Sequence, residues 1–304
     1  MRVRLEALGR ATRLAATLAL AACAARGTVP SATGLAPAAR PGTKQVLLYA
    51  DTSFYTFPGG KLVGQFDPPD PMMGLCTDTA GNVWVLAGRY NDHELVVLEY
   101  PHGGTEPIAW TQGHWFFPIG CAVERQSGNL AIALFGGGVY DAPGSIVVYP
   151  DPPHGAPVSY QPLKNGHYYY CDYDDSGNLF VDGQLGRRKF VFLELPKGAK
   201  KFVKISLNPS PLEPGPVEWA GFHIAVADAR SENIYQYEFN GSTGTMVRET
   251  TLEGAGGVSS QYALLDGVLV YQAANGYGYW NFPAGGNPRR TFQSPLHRSF
   301  AISQ

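Results

Sequence analysis

The sequence predicts an all-β fold on three observations. The 304 residues include 37 glycines and 24 prolines, which break helices and build tight turns. A further 17 Tyr, 15 Phe and 5 Trp supply side chains suited to a pleated, half-buried surface. The third observation is a strand–turn–strand unit whose prolines, Pro58, Pro101, Pro150 and Pro196, stand 43, 49 and 46 residues apart. Hydrophobic residues make up 44 % and charged residues only 16 %, which excludes disorder driven by charge. A net charge of −2 argues against a nucleic-acid partner gripped by a broad basic face.

The repeating unit has two halves. The first is a hairpin that usually ends its leading strand on Pro and Gly: FYTFPGGKLVGQF (54–66), VVLEYPHGGTEPIAW (96–110), IVVYPDPPHGAPVSY (146–160), FLELPKGAKKFVKI (192–205), IYQYEFNGSTGTMVRET (234–250) and YWNFPAGGNPRRTF (279–292). In the fifth copy Glu238 and Phe239 stand where the proline is expected, so Pro196 and Pro283 lie 87 residues apart, two units. The second half precedes most hairpins: GLCTDTAGNVWVLAG (74–88), GCAVERQSGNLAIALF (120–135), YCDYDDSGNLFVDG (170–183), VEWAGFHIAVAD (217–228) and SQYALLDGVLVYQA (260–273). Each reads as a short strand, a turn containing Gly and an alternating strand. Its Gly-Asn and Asp-Gly pairs suit the positive φ of tight hairpins.

Two halves make four strands, and a lone four-stranded sheet cannot cover both of its faces. Stacking such sheets around an axis covers them. The expectation is a six-bladed β-propeller with four antiparallel strands per blade. Five complete units lie between about residues 74 and 292, while the chain before them (44–66) supplies three strands and the tail 297–304 one. A ring closed by N- and C-terminal strands accounts for both remainders. Seven shorter blades, or a two-sheet sandwich, fit the spacing less well.

The N-terminus reads as an address. Residues 1–13 carry four Arg, 14–22 (LAATLALAA) are apolar and uncharged, and Cys23 follows. A run of nine uncharged residues is too short to span a bilayer as a helix. Leu20-Ala21-Ala22-Cys23 resembles the lipobox of bacterial lipoproteins, which implies cleavage before Cys23 and lipidation of its thiol. The alternatives are plain secretion and a retained N-terminus. The expected organisation is a signal peptide over 1–22, a lipidated Cys and flexible tether over 23–42, and a propeller over 43–304. The expected location is the bacterial cell envelope, on the outer membrane if the cell has one.

The repeats resemble the NHL and SMP-30/gluconolactonase-like six-bladed propellers. They are more similar still to bacterial propeller lipoproteins with YPxGGTxP hairpins, seen here as Tyr100-Pro101-His102-Gly103-Gly104-Thr105-Glu106-Pro107. The SMP-30 resemblance implies a divalent cation held by carboxylates and an Asn at the starts of the inner strands. The corresponding segments here offer Glu218, Gln261 and His297. That set does not match the cation cluster, so no cofactor and no metal ligand is expected, with a divalent cation as the alternative.

Other motifs are sparse. Cys76, Cys121 and Cys171 recur on successive inner strands, and packing as small buried side chains is the expectation, with a disulfide or a metal site as alternatives. Asp172-x-Asp174-x-Ser176-Gly177 begins like a calcium loop, but Gly183 stands where the bidentate Glu is needed, so these residues read as a turn. No G-x-S-x-G elbow or H-E-x-x-H occurs. The loops before two inner strands carry Trp115-Phe116-Phe117 and Tyr168-Tyr169-Tyr170. Trp115, Phe116, Tyr168, Tyr169, Tyr170, Gln261 and His297 are therefore the candidate ligand-binding residues, as a stacking platform with polar contacts. The same aromatics equally suit packing between blades. Glu218 and His297 are the candidates for acid–base catalysis. The functional expectation is a monomeric envelope lipoprotein that binds a glycan, a peptide or an envelope protein. A hydrolase or lyase acting on a small ester, lactone or sugar, and a scaffold with no small ligand, are the alternatives.

Overall fold

The computed structural model describes residues 45–88, 94–114, 117–136, 142–152, 154–186, 189–231, 233–256, 261–294 and 299–304. Among these the regular structure is all β, without a helix. The first sheet holds β1 (Leu47–Ala50), β2 (Ser53–Thr56) and β3 (Leu62–Gln65). The second holds β4 (Met72–Thr77), β5 (Val83–Gly88), β6 (Glu94–Tyr100) and β7 (Ala109–His114). The third holds β8 (Pro118–Val123), β9 (Leu130–Leu134), β10 (Ser145–Tyr149) and β11 (Val158–Tyr160). An antiparallel meander follows, of β12 (Gly166–Tyr173), β13 (Leu179–Leu185), β14 (Lys189–Leu195) and β15 (Val203–Asn208). A second meander holds β16 (Val217–Trp219), β17 (Ile224–Asp228), β18 (Asn233–Asn240) and β19 (Thr243–Thr251). Their outermost strands, β15 and β19, pair in parallel from Ser206–Thr243 to Asn208–Thr245, which links the two meanders into one eight-stranded sheet. The last four-stranded sheet holds β20 (Ala263–Leu265), β21 (Val268–Ala273), β22 (Gly276–Asn281) and β23 (Arg290–Gln293). Finally β24 (Phe300–Ser303) returns to pair antiparallel with β1, Leu47 opposite Ser303 and Ala50 opposite Phe300.

The sheets stand around a common axis in a propeller arrangement. β4 lies beside β8, β8 beside β12 and β12 beside β16, while β24 lies between β20 and β4. The second strands are buried on both faces, so they read as continuous apolar runs: β5 is VWVLAG and β9 is LAIAL, with every residue buried. The outermost strands β3, β11, β15 and β23 are largely exposed and carry the polar residues. Among the described residues the buried side chains form six clusters, each between neighbouring strand sets. Leu75, Val85 and Tyr100 meet Leu47 and Tyr49, for example. The linked meanders also pack face to face, with Tyr170, Phe180 and Phe192 against Ile224, Val226 and Tyr237.

The turns between first and second strands follow the sequence reading. Asp78 Oδ1 accepts from the N–H groups of Ala80 (2.9 Å) and Asn82 (2.8 Å). Asp174 Oδ1 accepts from Ser176 (2.9 Å) and Asn178 (2.8 Å) in the same way. Gly81 and Gly177 take φ of 88° and 83° in these turns, values that disfavour any residue with a Cβ.

Packing as free thiols, the expectation for Cys76 and Cys121, is corrected. They form a disulfide between β4 and β8, with Cα atoms 5.7 Å apart, while Cys171 is a buried free thiol. The reason is register. Cys121 pairs with Ile132 and Cys171 with Val181, but the residue of β4 that pairs with the equivalent Val85 is Leu75. Cys76 is one residue further on, so its side chain points to the opposite face of its sheet, toward Cys121. The bond closes a 45-residue separation between adjacent sheets. Its removal by the double variant Cys76→Ala/Cys121→Ala is expected to lower unfolding free energy by roughly 2–4 kcal/mol, with unchanged circular dichroism at low denaturant. Equal denaturant midpoints for variant and wild type would show that the crosslink contributes nothing.

Candidate functional site

The inner strands enclose an axial cavity of about 450 Å³ near their C-terminal ends. Its polar lining includes Asp78, Arg125, Asp172, Glu218 and Gln261, and its apolar lining includes Trp219 and Phe300. Asp172 lies on β12 beside Glu218 on β16. Its Oδ1 accepts from the Tyr173 N–H (2.8 Å) and its Oδ2 from the Trp219 N–H (2.6 Å), so one carboxyl ties β12 to β16. By contrast, among the described residues no donor reaches the Glu218 carboxyl. Gln261 is 9 % exposed and, among the described residues, its Oε1 accepts no hydrogen bond; Trp219 Nε1 is likewise buried without a partner among them. Leaving such groups unpaired is costly, which marks them as positions where a ligand has something to gain.

A bulge shapes the start of β12. Its register with β13 shifts between Tyr168 and Cys171, which frees the Tyr170 N–H from the ladder. Asp182, fully buried on β13, takes that N–H on Oδ1 (2.8 Å) and the Gly215 N–H on Oδ2 (2.9 Å). Similar shifts occur at Met72/Gly74 in β4 and Pro118/Gly120 in β8. Gly120 leaves no room for a side chain, since a Cβ there would stand 2.9 Å from the Tyr169 carbonyl oxygen.

Burial raises the pKa of these buried carboxyls. Asp172 is pushed up to about 6, burial outweighing its two N–H donors and the Arg125 charge. Burial, then the neighbouring Asp172 charge, holds Glu218 well above the usual carboxylate range, with Arg125 opposing. Asp182 is raised by burial against its two N–H donors. Arg125 is engaged at the cavity mouth by Asp175, Nη1 to Oδ1 2.7 Å. The carboxylate and Asn cluster that the SMP-30 resemblance implies is not assembled among the described residues. Both Asp172 oxygens already accept backbone N–H groups, and among the described residues no three His, Cys, Asp or Glu gather at one point.

The sequence candidates divide. Glu218 and Gln261 line the same cavity. Tyr168 and Tyr170 are core residues, 0 % and 4 % exposed, so neither presents a ring to solvent. Tyr168 sits between the third sheet and β12–β15, with its hydroxyl accepting from the Leu163 N–H (3.1 Å). Tyr170 packs between the linked meanders. The bulge places Tyr169 half-buried, its hydroxyl donating to Gln184 Oε1 (3.2 Å) and its ring edge-on to Phe135. Trp115, Phe116 and His297 lie outside the described residues. Asp172, read in sequence as part of a turn, is an axial carboxyl instead, and only Asp174 caps the turn. The available signal was its place directly after Cys171 on an inner strand.

A second cavity of about 680 Å³ adjoins the first and shares Arg125, Trp219, Leu264 and Leu265 with it. Phe222, 87 % exposed, stands among its lining residues, and His223 Nε2 faces Glu238 Oε1 at 3.2 Å.

No protein-family model and no curated protein matches the sequence. Solved structures do match. A chain in the crystal structure of the nidogen/laminin complex has TM-score 0.64 at 13 % identity, covering 86 % of this chain and 98 % of that one. A protein of unknown function from Bacteroides caccae has TM-score 0.56 at 12 % identity, with the same coverages of 86 % and 98 %. The β-propeller domain of Myceliophteria thermophila Cps50 (Swd1) has TM-score 0.53 at 9 % identity and 80 % coverage of both chains. At these identities the likeness shows the fold, and the chain is a β-propeller.

One prediction follows from the carboxyl pair. A carboxyl whose folded value is raised binds its proton more tightly in the native state, so stability falls as pH rises from the unfolded value, about 4, through the folded one. Glu218→Gln removes one of the two acids and breaks no hydrogen bond to any described residue. It is expected to raise Tm by a few degrees at pH 8 and to leave it unchanged near pH 4. A lower Tm at pH 8 would show that the Glu218 charge is paired and stabilising.

Proposed function

We propose that this is an extracytoplasmic, lipid-anchored β-propeller of six blades whose role is to recognise a ligand. The observation that carries the reading is the axial cavity, where the Glu218 carboxyl, Gln261 Oε1 and Trp219 Nε1 have no hydrogen-bond partner among the described residues. Its volume falls within the roughly 300–1,000 Å³ of small-molecule sites. Propellers host many functions, so function lies in the site and not in the fold.

Six core clusters and the face-to-face packing of the linked meanders support counting the eight-stranded sheet as two blades. Such a ring agrees with the NHL-like repeat length. The Cys76–Cys121 disulfide supports an oxidising compartment outside the cytoplasm. Cys23, after the apolar run 14–22, supplies the anchor to the membrane of the cell envelope. Candidate ligands are a glycan, an envelope peptide or an envelope protein, bound by a monomer and without nucleic acid.

Two experiments test this. Cys23→Ala is expected to abolish incorporation of an alkyne-labelled fatty acid and to release the protein from the membrane fraction; unchanged labelling would contradict the anchor. The full-length protein is then screened on glycan and envelope-peptide arrays. Binding weakened at least tenfold by Trp219→Ala is expected, and binding indifferent to that change would move recognition away from the axis.

The paired acids Asp172 and Glu218 favour one second reading, acid–base hydrolysis of a small ester or lactone. A raised carboxyl can hold and deliver a proton near neutral pH. Turnover of lactone substrates lost in Glu218→Gln would establish it.

A further inference from the structure

The axial cavity carries more than a general capacity to bind. Its charged side chains are Asp78, Arg125, Asp172 and Glu218, three acids against one base. The base is held by Asp175 at the mouth, Nη1 to Oδ1 2.7 Å. Asp78 is occupied by its own turn, with both oxygens accepting from residues 80–82. Asp172 is occupied by the Tyr173 and Trp219 N–H groups. That leaves the Glu218 carboxyl, with no hydrogen bond from any described residue, as the acceptor with free lone pairs.

Gln261 supplies the independent observation. It is nine-tenths buried, it lines the same cavity, and its Oε1 accepts no hydrogen bond from any described residue. A buried amide oxygen and a free carboxyl around one cavity ask for N–H donors and a positive charge. Trp219 adds an aromatic ring to the wall, and an indole face attracts organic cations. A bare metal ion would leave most of about 450 Å³ unfilled, whereas a small organic ligand fits that volume.

We propose that the axial cavity binds a small organic cation, with a primary ammonium or guanidinium group hydrogen-bonded to Glu218 and Gln261 and its carbon skeleton against Trp219. This rests on the recognition reading above and names its ligand class. Asp172 holds Trp219 in place by accepting its backbone N–H.

Isothermal titration of the full-length protein with four probes tests it: cadaverine for ammonium, agmatine for guanidinium, 1,5-pentanediol as the uncharged analogue, and calcium chloride. The expected result is submillimolar binding of cadaverine or agmatine, at least tenfold tighter than the diol. It should weaken at least tenfold in Glu218→Gln and in Gln261→Ala, both checked for native circular dichroism. Which cation binds tighter assigns ammonium or guanidinium. Equal binding of cadaverine and the diol overturns the proposal, as does cation binding that both variants retain. Calcium binding that excludes the amines overturns it in favour of a metal site. Binding of none of the four overturns the organic-cation inference alone, because the array screen tests recognition separately.

Discussion

The structure depends on one constraint: its sheets are apolar on both faces, so each needs a neighbour on either side. β5 and β9 expose nothing, and the six core clusters lie between strand sets rather than inside one central core. A row of such sheets leaves two bare ends. Pairing β24 with β1 removes them, because Phe300 and Ala301 then complete the first sheet and fill two adjoining clusters. Specific bonds fix this closure. The Asp51 and Ser299 main chains join at 3.0 Å, and Thr77 Oγ1 donates to the Ile302 carbonyl at 3.1 Å. The buried Ser303 hydroxyl donates to the Gly81 carbonyl and meets His102 Nδ1.

The site follows from the same geometry. Inner strands that converge on an axis bring residues distant in sequence to one cavity, and cannot all be paired by ladder bonds. β12 resolves part of the shortfall with a bulge and the buried Asp182. Asp172 resolves another part by taking the Trp219 N–H across the gap between β12 and β16. Glu218, Gln261 and the Trp219 indole are what remains unpaired among the described residues, and that state is a property of the ring rather than of a local motif.

The repeat, the strand order and the returning terminal strand were legible because Pro and Gly punctuate hairpins at a regular spacing, and each turn carries its own Asp and Gly. The chemistry was less legible. Side-chain direction changes with every residue, so a one-residue difference in register decides what a position faces. Cys76 stands two residues before Asp78, whereas Cys121 and Cys171 stand three before Glu124 and Asp174; that offset was visible and predicts the disulfide face. Tyr168 to Tyr170 resisted reading because the bulge within the triplet breaks simple alternation. Asp172 was hidden beside Asp174, which made both look like parts of one turn.

The claim that closure holds the whole molecule together is tested most directly by native-state hydrogen exchange on β24. Terminal strands ordinarily fray, and their amides exchange through local opening. If ring closure is the constraint on which the other sheets rely, the ladder-bonded amides of Phe300–Ser303 exchange only through global unfolding. Their opening free energy then equals that of β5 and β9 and falls equally with denaturant. Exchange of β24 at a far lower free energy, while β5 and β9 stay protected, would show that the ring stands without its clasp and would contradict the account.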